Sequence, residues 1–111
     1  MTNYQIGHDA EKQVADWLSK RRFTIVEINW KTRRCEIDIV ASRKKVVYLV
    51  EVKARKSSQW GSGIDYVTPR KLTQMKFAAE YWLATHQWNG DVRLAVAAVD
   101  GSTIALTEVT D

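Results

Sequence analysis

The chain has 111 residues, 45% of them hydrophobic and 27% charged, which suits one domain over residues 1–111; no apolar run nears the roughly 20 residues of a membrane helix. The single cysteine, Cys35, and two distant histidines exclude an internal disulfide and a thiolate or imidazole metal cage, so oxygen ligands and a hard ion such as Mg2+ or Mn2+ are what this composition permits. The formal charge of +4 is uneven: residues 1–56 hold 13 Lys/Arg against 7 Asp/Glu, and residues 57–111 hold 4 against 6, so a polyanion would meet the front half.

The opening MTNYQIGHDAEKQ lacks a signal-peptide core, and the expected compartment is the cytoplasm, with no membrane partner. From Tyr4 to Arg22, Ile6, Ala10, Val14, Trp17 and Leu18 recur at helical spacing, with Thr2 or Asn3 as the cap. FTIVEINW (23–30), EIDIVAS (36–42) and VVYLVEVKA (46–54) read as three strands. Basic clusters sit at the element ends: Lys20-Arg21-Arg22, Lys31 with Arg33-Arg34, Arg43-Lys44-Lys45 and Arg55-Lys56. Residues 55–67, with their Ser and Gly breaks, read as a loop of functional length. Thr68-Pro69 opens a second helix whose apolar stripe is Leu72, Met75, Ala78, Ala79, Trp82 and Leu83, with Asn89-Gly90 as the stop. DVRLAVAAV and TIALTEV follow as strands joined through Asp100-Gly101. The order αβββαββ, with a helical crossover back to a small-residue strand, predicts a mixed central sheet flanked by helices, in the α/β class.

Strands two and three should form a hairpin, and register decides which side chains meet. If opposed residue numbers sum to 89, Ile37, Ile39 and Ala41 share an apolar face with Val46, Tyr48, Val50 and Val52, while Asp38 faces Glu51 and Glu36 faces Lys53 on the other side. A register one residue away scatters charge through the core, so the first is expected. It sets two carboxylates roughly 5 Å apart between Cβ atoms. That arrangement is tolerable if one carboxyl is protonated or a cation lies between them, with Lys53 near enough to touch a water or a phosphate oxygen; the competing reading is a salt-bridge cluster on a solvated face.

Asp38 in EID, followed by Glu51-Val52-Lys53 in EVK, resembles the PD-(D/E)xK nuclease signature. From Gly7 to about Asp100, through GHDAE, Asn29, EIDIVA, VEVKAR, Gly61, Val67, Lys71 and AAEYWL, the chain resembles more closely the YraN-type family of small bacterial and archaeal proteins. The resemblance implies a restriction-endonuclease-like fold and a Mg2+-dependent nuclease acting on DNA phosphodiesters, with structured or branched DNA as its Holliday-junction-resolvase-like substrate. It implies that Asp38, Glu51 and the backbone carbonyl of Val52, joined by Glu11, hold the ion, and that Lys53 positions water or stabilises developing charge. Glu11 has the rival reading of an ordinary exposed helix acid. Where that family has Gly before EID, this chain has Cys35.

DNA contacts are expected from Arg33, Arg34, Arg55 and Lys56, from Arg70 and Lys71 in the first turn of the second helix, and from Trp60 stacking on a base. The bland alternatives are solvated charges and a tryptophan plugging the sheet edge. Resolvase-like proteins pair to make two cuts, and the AEYWLATHQW surface would serve a homodimer. The rival function is a DNA-binding subunit of a repair, recombination or uptake assembly that keeps the nuclease fold without cutting.

Overall fold

A computed structural model describes residues 2–55 and 67–109. Thr2 caps the first helix, α1 (Asn3–Ser19), through a capping box: its hydroxyl accepts the Gln5 N–H at 3.1 Å, and the Gln5 side chain accepts the Thr2 N–H at 3.0 Å. The helix stops three residues before the expected Arg22. Phe23 N–H donates to the Leu18 carbonyl at 3.1 Å and Arg22 N–H to that of Ser19 at 3.2 Å, with Arg22 left-handed at φ 69°, a closing position that glycine usually fills.

Three strands follow, β1 (Thr24–Lys31), β2 (Glu36–Arg43) and β3 (Val46–Arg55), then α2 (Pro69–His86), β4 (Asp91–Asp100) and β5 (Thr103–Val109). The sheet order is β1-β2-β3-β4-β5; β3 and β4 are parallel and the other neighbours antiparallel, so the expected mixed sheet and crossover are present. The arrangement is a restriction-endonuclease-like α/β fold. Thr68 caps α2 by accepting the Lys71 N–H at 3.1 Å, with Pro69 in the first helical position. Its end departs from expectation: Gln87, left-handed at φ 53°, closes the helix before Asn89-Gly90 is reached.

One helix covers each sheet face. On the first, Ala10, Val14, Ala15 and Leu18 of α1 pack on Ile39, Ala41, Val50, Ala95, Ala97 and Val99. On the second, Ala78, Ala79 and Trp82 of α2 pack on Val40, Val47, Leu49 and Ile37. Trp82 is also tied to the sheet edge, since its indole N–H donates to Glu27 Oε2 at 2.6 Å. Trp82 is buried in the core, whereas Trp17 and Trp30 are half-buried at its border.

The hairpin register is the expected one, with Ile39↔Val50, Val40↔Leu49 and Ala41↔Tyr48. Its turn is only Lys44-Lys45, at φ 52° and 65°, a type I′ geometry that costs a non-glycine residue roughly 1–2 kcal/mol at each position. One expectation fails beside the acids. Ile37 does not share the face of Ile39 and Ala41 but packs with Trp30 on the α2 side. The change of face falls between the pairs Ile28↔Ile39 and Trp30↔Ile37, where Asn29 of β1 adopts φ 56° opposite Asp38. A left-handed residue in a strand breaks the two-residue alternation locally.

Candidate active site

The break re-aims Asp38. Its Oδ2 accepts the Val52 N–H at 2.8 Å, so the carboxylate takes the place of a strand partner where β2 and β3 part, rather than standing above the sheet. The backbone bond holds it there, half-buried. Burial first, then the charge of Glu51, then those of Glu11 and Glu36, push its pKa up to about 7, with the Val52 N–H opposing the rise.

Glu51 approaches from the α2 side, where the Lys71 ammonium meets its Oε1 at 2.8 Å. Glu11 approaches from α1. Burial raises its pKa as well, against the lowering influence of His8, a hydrogen bond with the Asn29 side chain, and Lys31. Its Oε1 is buried and, among the described residues, has no hydrogen-bond partner, an arrangement that costs free energy in any folded protein. Lys53 follows two residues after Glu51, half-buried and paired with Ala98 of β4. Glu36, at the entrance to β2, is exposed.

Among the described residues no three His, Cys, Asp or Glu side chains converge as a ready-made metal cage. The donors at the fork still suit a hard ion: Asp38 and Glu51 are carboxylates, the Val52 carbonyl is the third oxygen of the expected set, and the orphaned Glu11 Oε1 is a fourth. A cation there would meet an Asp38 carboxylate that burial and neighbouring acids make costly to ionise, and a Glu11 oxygen without a partner among the described residues.

Beside the fork lies a cleft of about 420 Å3, lined by Arg34, Cys35, Glu36, Glu51, Lys71 and Phe77 among others. Arg34 reaches it from a tight turn in which Thr32 N–H donates to the Cys35 carbonyl at 2.9 Å, and the Thr32 hydroxyl accepts the N–H groups of Arg34 and Cys35. Arg33 and Arg70 are exposed nearby in the chain, on that turn and in the first turn of α2. Trp60 and Lys56 lie outside the described residues, as does the Arg55 side chain. Sequence reasoning missed Phe77, and it named Asn29 for the family resemblance without its contact with Glu11. Phe77, 42% exposed, falls off the apolar stripe of α2 and sits at the cleft. Asn29, which orients Glu11, had one signal available: an Asn in a strand tolerates the left-handed conformation that other residues resist.

Residues 10–99 match the family described as Uncharacterised protein family UPF0102. The chain belongs to the UPF0102 family. It is 36% identical to a UPF0102 protein of Pseudomonas fluorescens over 89% of this chain and 84% of that one. Another UPF0102 protein, from Renibacterium salmoninarum, is 33% identical over 88% and 84% of the two chains. A third, from Syntrophomonas wolfei, is 38% identical over 73% and 70%. The stretch that matches the UPF0102 profile contains Glu11, Asp38, Glu51, Lys53 and Lys71, so the fork described above lies wholly within the family domain. Among the described residues no helix of this UPF0102 protein is long and apolar enough to cross a membrane.

Proposed function

We propose that the chain is a Mg2+-dependent nuclease that hydrolyses DNA phosphodiesters, with structured or branched DNA as the substrate class. The observation that carries this reading is Asp38: a carboxylate pinned by the Val52 N–H, half-buried and pressed by Glu51. Such a group is held at a charge it does not favour, and a divalent ion relieves that cost more fully than a proton does at neutral pH. Asp38, Glu51 and the Val52 carbonyl would hold the ion, with Glu11 Oε1 turned from orphan to ligand. Bound there, the ion supplies polarisation of the scissile phosphate and a lowered pKa for an attacking water.

The remaining steps belong to the chain. Lys53, on the strand that carries Glu51, orients the water and meets negative charge developing on phosphorus. Lys71 exchanges Glu51 for a phosphate oxygen once Glu51 is engaged. Arg34 and the cleft beside it receive the flanking strand, and Phe77 offers it a stacking face.

Incubating the chain with linear, nicked, flapped and four-way duplexes tests the reading. Cleavage should appear in Mg2+ or Mn2+, vanish in EDTA, and vanish in Asp38→Asn and Lys53→Ala; intact substrates throughout would refute it. A second reading rests on the 2.8 Å pair of Lys71 with Glu51, which neutralises Glu51 without any ion. On that reading the chain is a non-cutting DNA-binding subunit. Salt-sensitive binding that ignores divalent ions, equal in the wild type and Asp38→Asn, would favour it.

A further inference from the structure

Six cations that the candidate site does not use meet at the far end of β2. Lys20, Arg21 and Arg22 leave α1 beside the hairpin turn that carries Arg43, Lys44 and Lys45, because Thr24 pairs with Ser42 and sets the two segments side by side. The contact is direct. Arg43 Nη1 donates to the Arg21 carbonyl at 3.2 Å, and its guanidinium lies 4.2 Å from the centre of the Phe23 ring. Arg21 stacks on Trp17 at 3.7 Å. Lys20, Arg21, Arg22, Lys44 and Lys45 are all exposed, and among the described residues none of the six takes part in an ion pair. Two acids border the cluster, Asp16 one turn before Lys20 and Asp91 through the pairing Val46↔Asp91, and the pole stays strongly positive.

The backbone makes a second, independent point. Arg22, Lys44 and Lys45 all hold left-handed conformations, at φ 69°, 52° and 65°. Glycine suits the first position, and Asn-Gly suits the two-residue turn. Geometry alone would select those residues. A cation at each of three strained positions is instead explained by what its charge binds.

We propose that this pole is a second phosphate-binding surface, which grips duplex DNA at a distance from the fork. Six residues of chain separate Asp38 from Lys44, roughly 20 Å at about 3.3 Å per residue, or about six base pairs of duplex. The inference takes its partner class from the proposed function and gives that site a hold on flanking duplex.

The test is fluorescence anisotropy of a fluorescein-labelled duplex two helical turns long, titrated with the full chain across a KCl series. The variant Lys44→Asn/Lys45→Gly installs the sequence the turn prefers, so its melting temperature should hold or rise. Its affinity should nevertheless drop about tenfold, and the slope of log affinity against log salt should shrink by about 2, at roughly 0.9 per phosphate contact. Arg22→Gly, at the other strained site, should remove about 1 from the slope, and Lys44→Arg/Lys45→Arg should keep it. An unchanged slope in the Asn-Gly and Gly variants overturns the proposal, and so does a wild-type chain that binds phosphatidylserine vesicles but not the duplex. The two readings fail separately. Loss of Mn2+ binding at the fork sinks the metal site alone, whereas an unchanged slope with Mn2+ still bound sinks this pole alone.

Discussion

Asp38 is where burial, charge and backbone geometry disagree most. Its folded pKa, pushed up to about 7, stands above the 3.8 of an unperturbed aspartate, so the folded chain holds this proton more tightly than the unfolded chain does. Stability without metal should therefore fall as pH rises from about 4 to about 7, by up to about 1.4 kcal/mol per pH unit from this group, with the penalty fully present above that window. Raised Glu11 acts in the same direction. Urea denaturation across this pH range in EDTA checks the slope. Asp38→Asn keeps an acceptor for the Val52 N–H and removes the charge, so it should equal wild type at pH 4 and exceed its stability by up to about 4 kcal/mol at pH 8. Lys71 makes the complementary case. Because its ammonium holds Glu51 at 2.8 Å, Lys71→Met removes a competitor and should raise Mn2+ affinity about fivefold, near 1 kcal/mol, as read by the paramagnetic resonance of free Mn2+. A weaker affinity would make Lys71 a helper of the ion rather than its resident substitute.

Elements differ in how far their residues announce them. The register of β2 against β3 was legible because only one pairing keeps an apolar face intact, and that pairing is present. Continued past Ile39↔Val50 it predicts the nearness of Asp38 and Glu51, and the charge of Glu51 does raise the Asp38 pKa, although the strands part there. The side on which Ile37 packs was not legible, since alternation predicts the face of Ile39 and nothing in EID signals the change beside Asn29, left-handed at φ 56° on the neighbouring strand. The end of α2 was misplaced for a similar reason: Gln87 is left-handed without being Gly or Asn, so the residues that look like a stop lie beyond the actual one. Glu11 could be suspected but not placed, because its contact with Asn29 depends on how α1 crosses the sheet. The tie between α2 and β1 was equally hidden. Trp82 donates to Glu27, and His86, stacked on Trp82 at 4.2 Å, reaches the same carboxylate at 3.3 Å. Trp82→Phe should cost about 2 kcal/mol in urea denaturation, since a part-buried carboxylate loses its donor and the core loses volume. A loss well below 1 kcal/mol would mean that His86 alone satisfies Glu27.

At the scale of the molecule, the sheet separates two regions of charge. At one end, β2 and β3 fork around Asp38, with Glu51 of β3 on the α2 side and Glu11 of α1 on the other; at the opposite end, cations crowd the hairpin turn. On the proposed function, a substrate with regularly spaced phosphates would suit both, with a cation at the fork offsetting the acids there. The central claim is therefore that the fork holds a divalent ion, and thermal unfolding in Mn2+ against EDTA at pH 7.5 addresses it most directly. With Mn2+ at a hundredfold over its dissociation constant, linkage adds about 2.7 kcal/mol, which is roughly 10 °C for a chain of this size. The account predicts that rise for wild type and none for Asp38→Asn. A wild-type melting temperature indifferent to Mn2+, or an equal rise in both proteins, would contradict it.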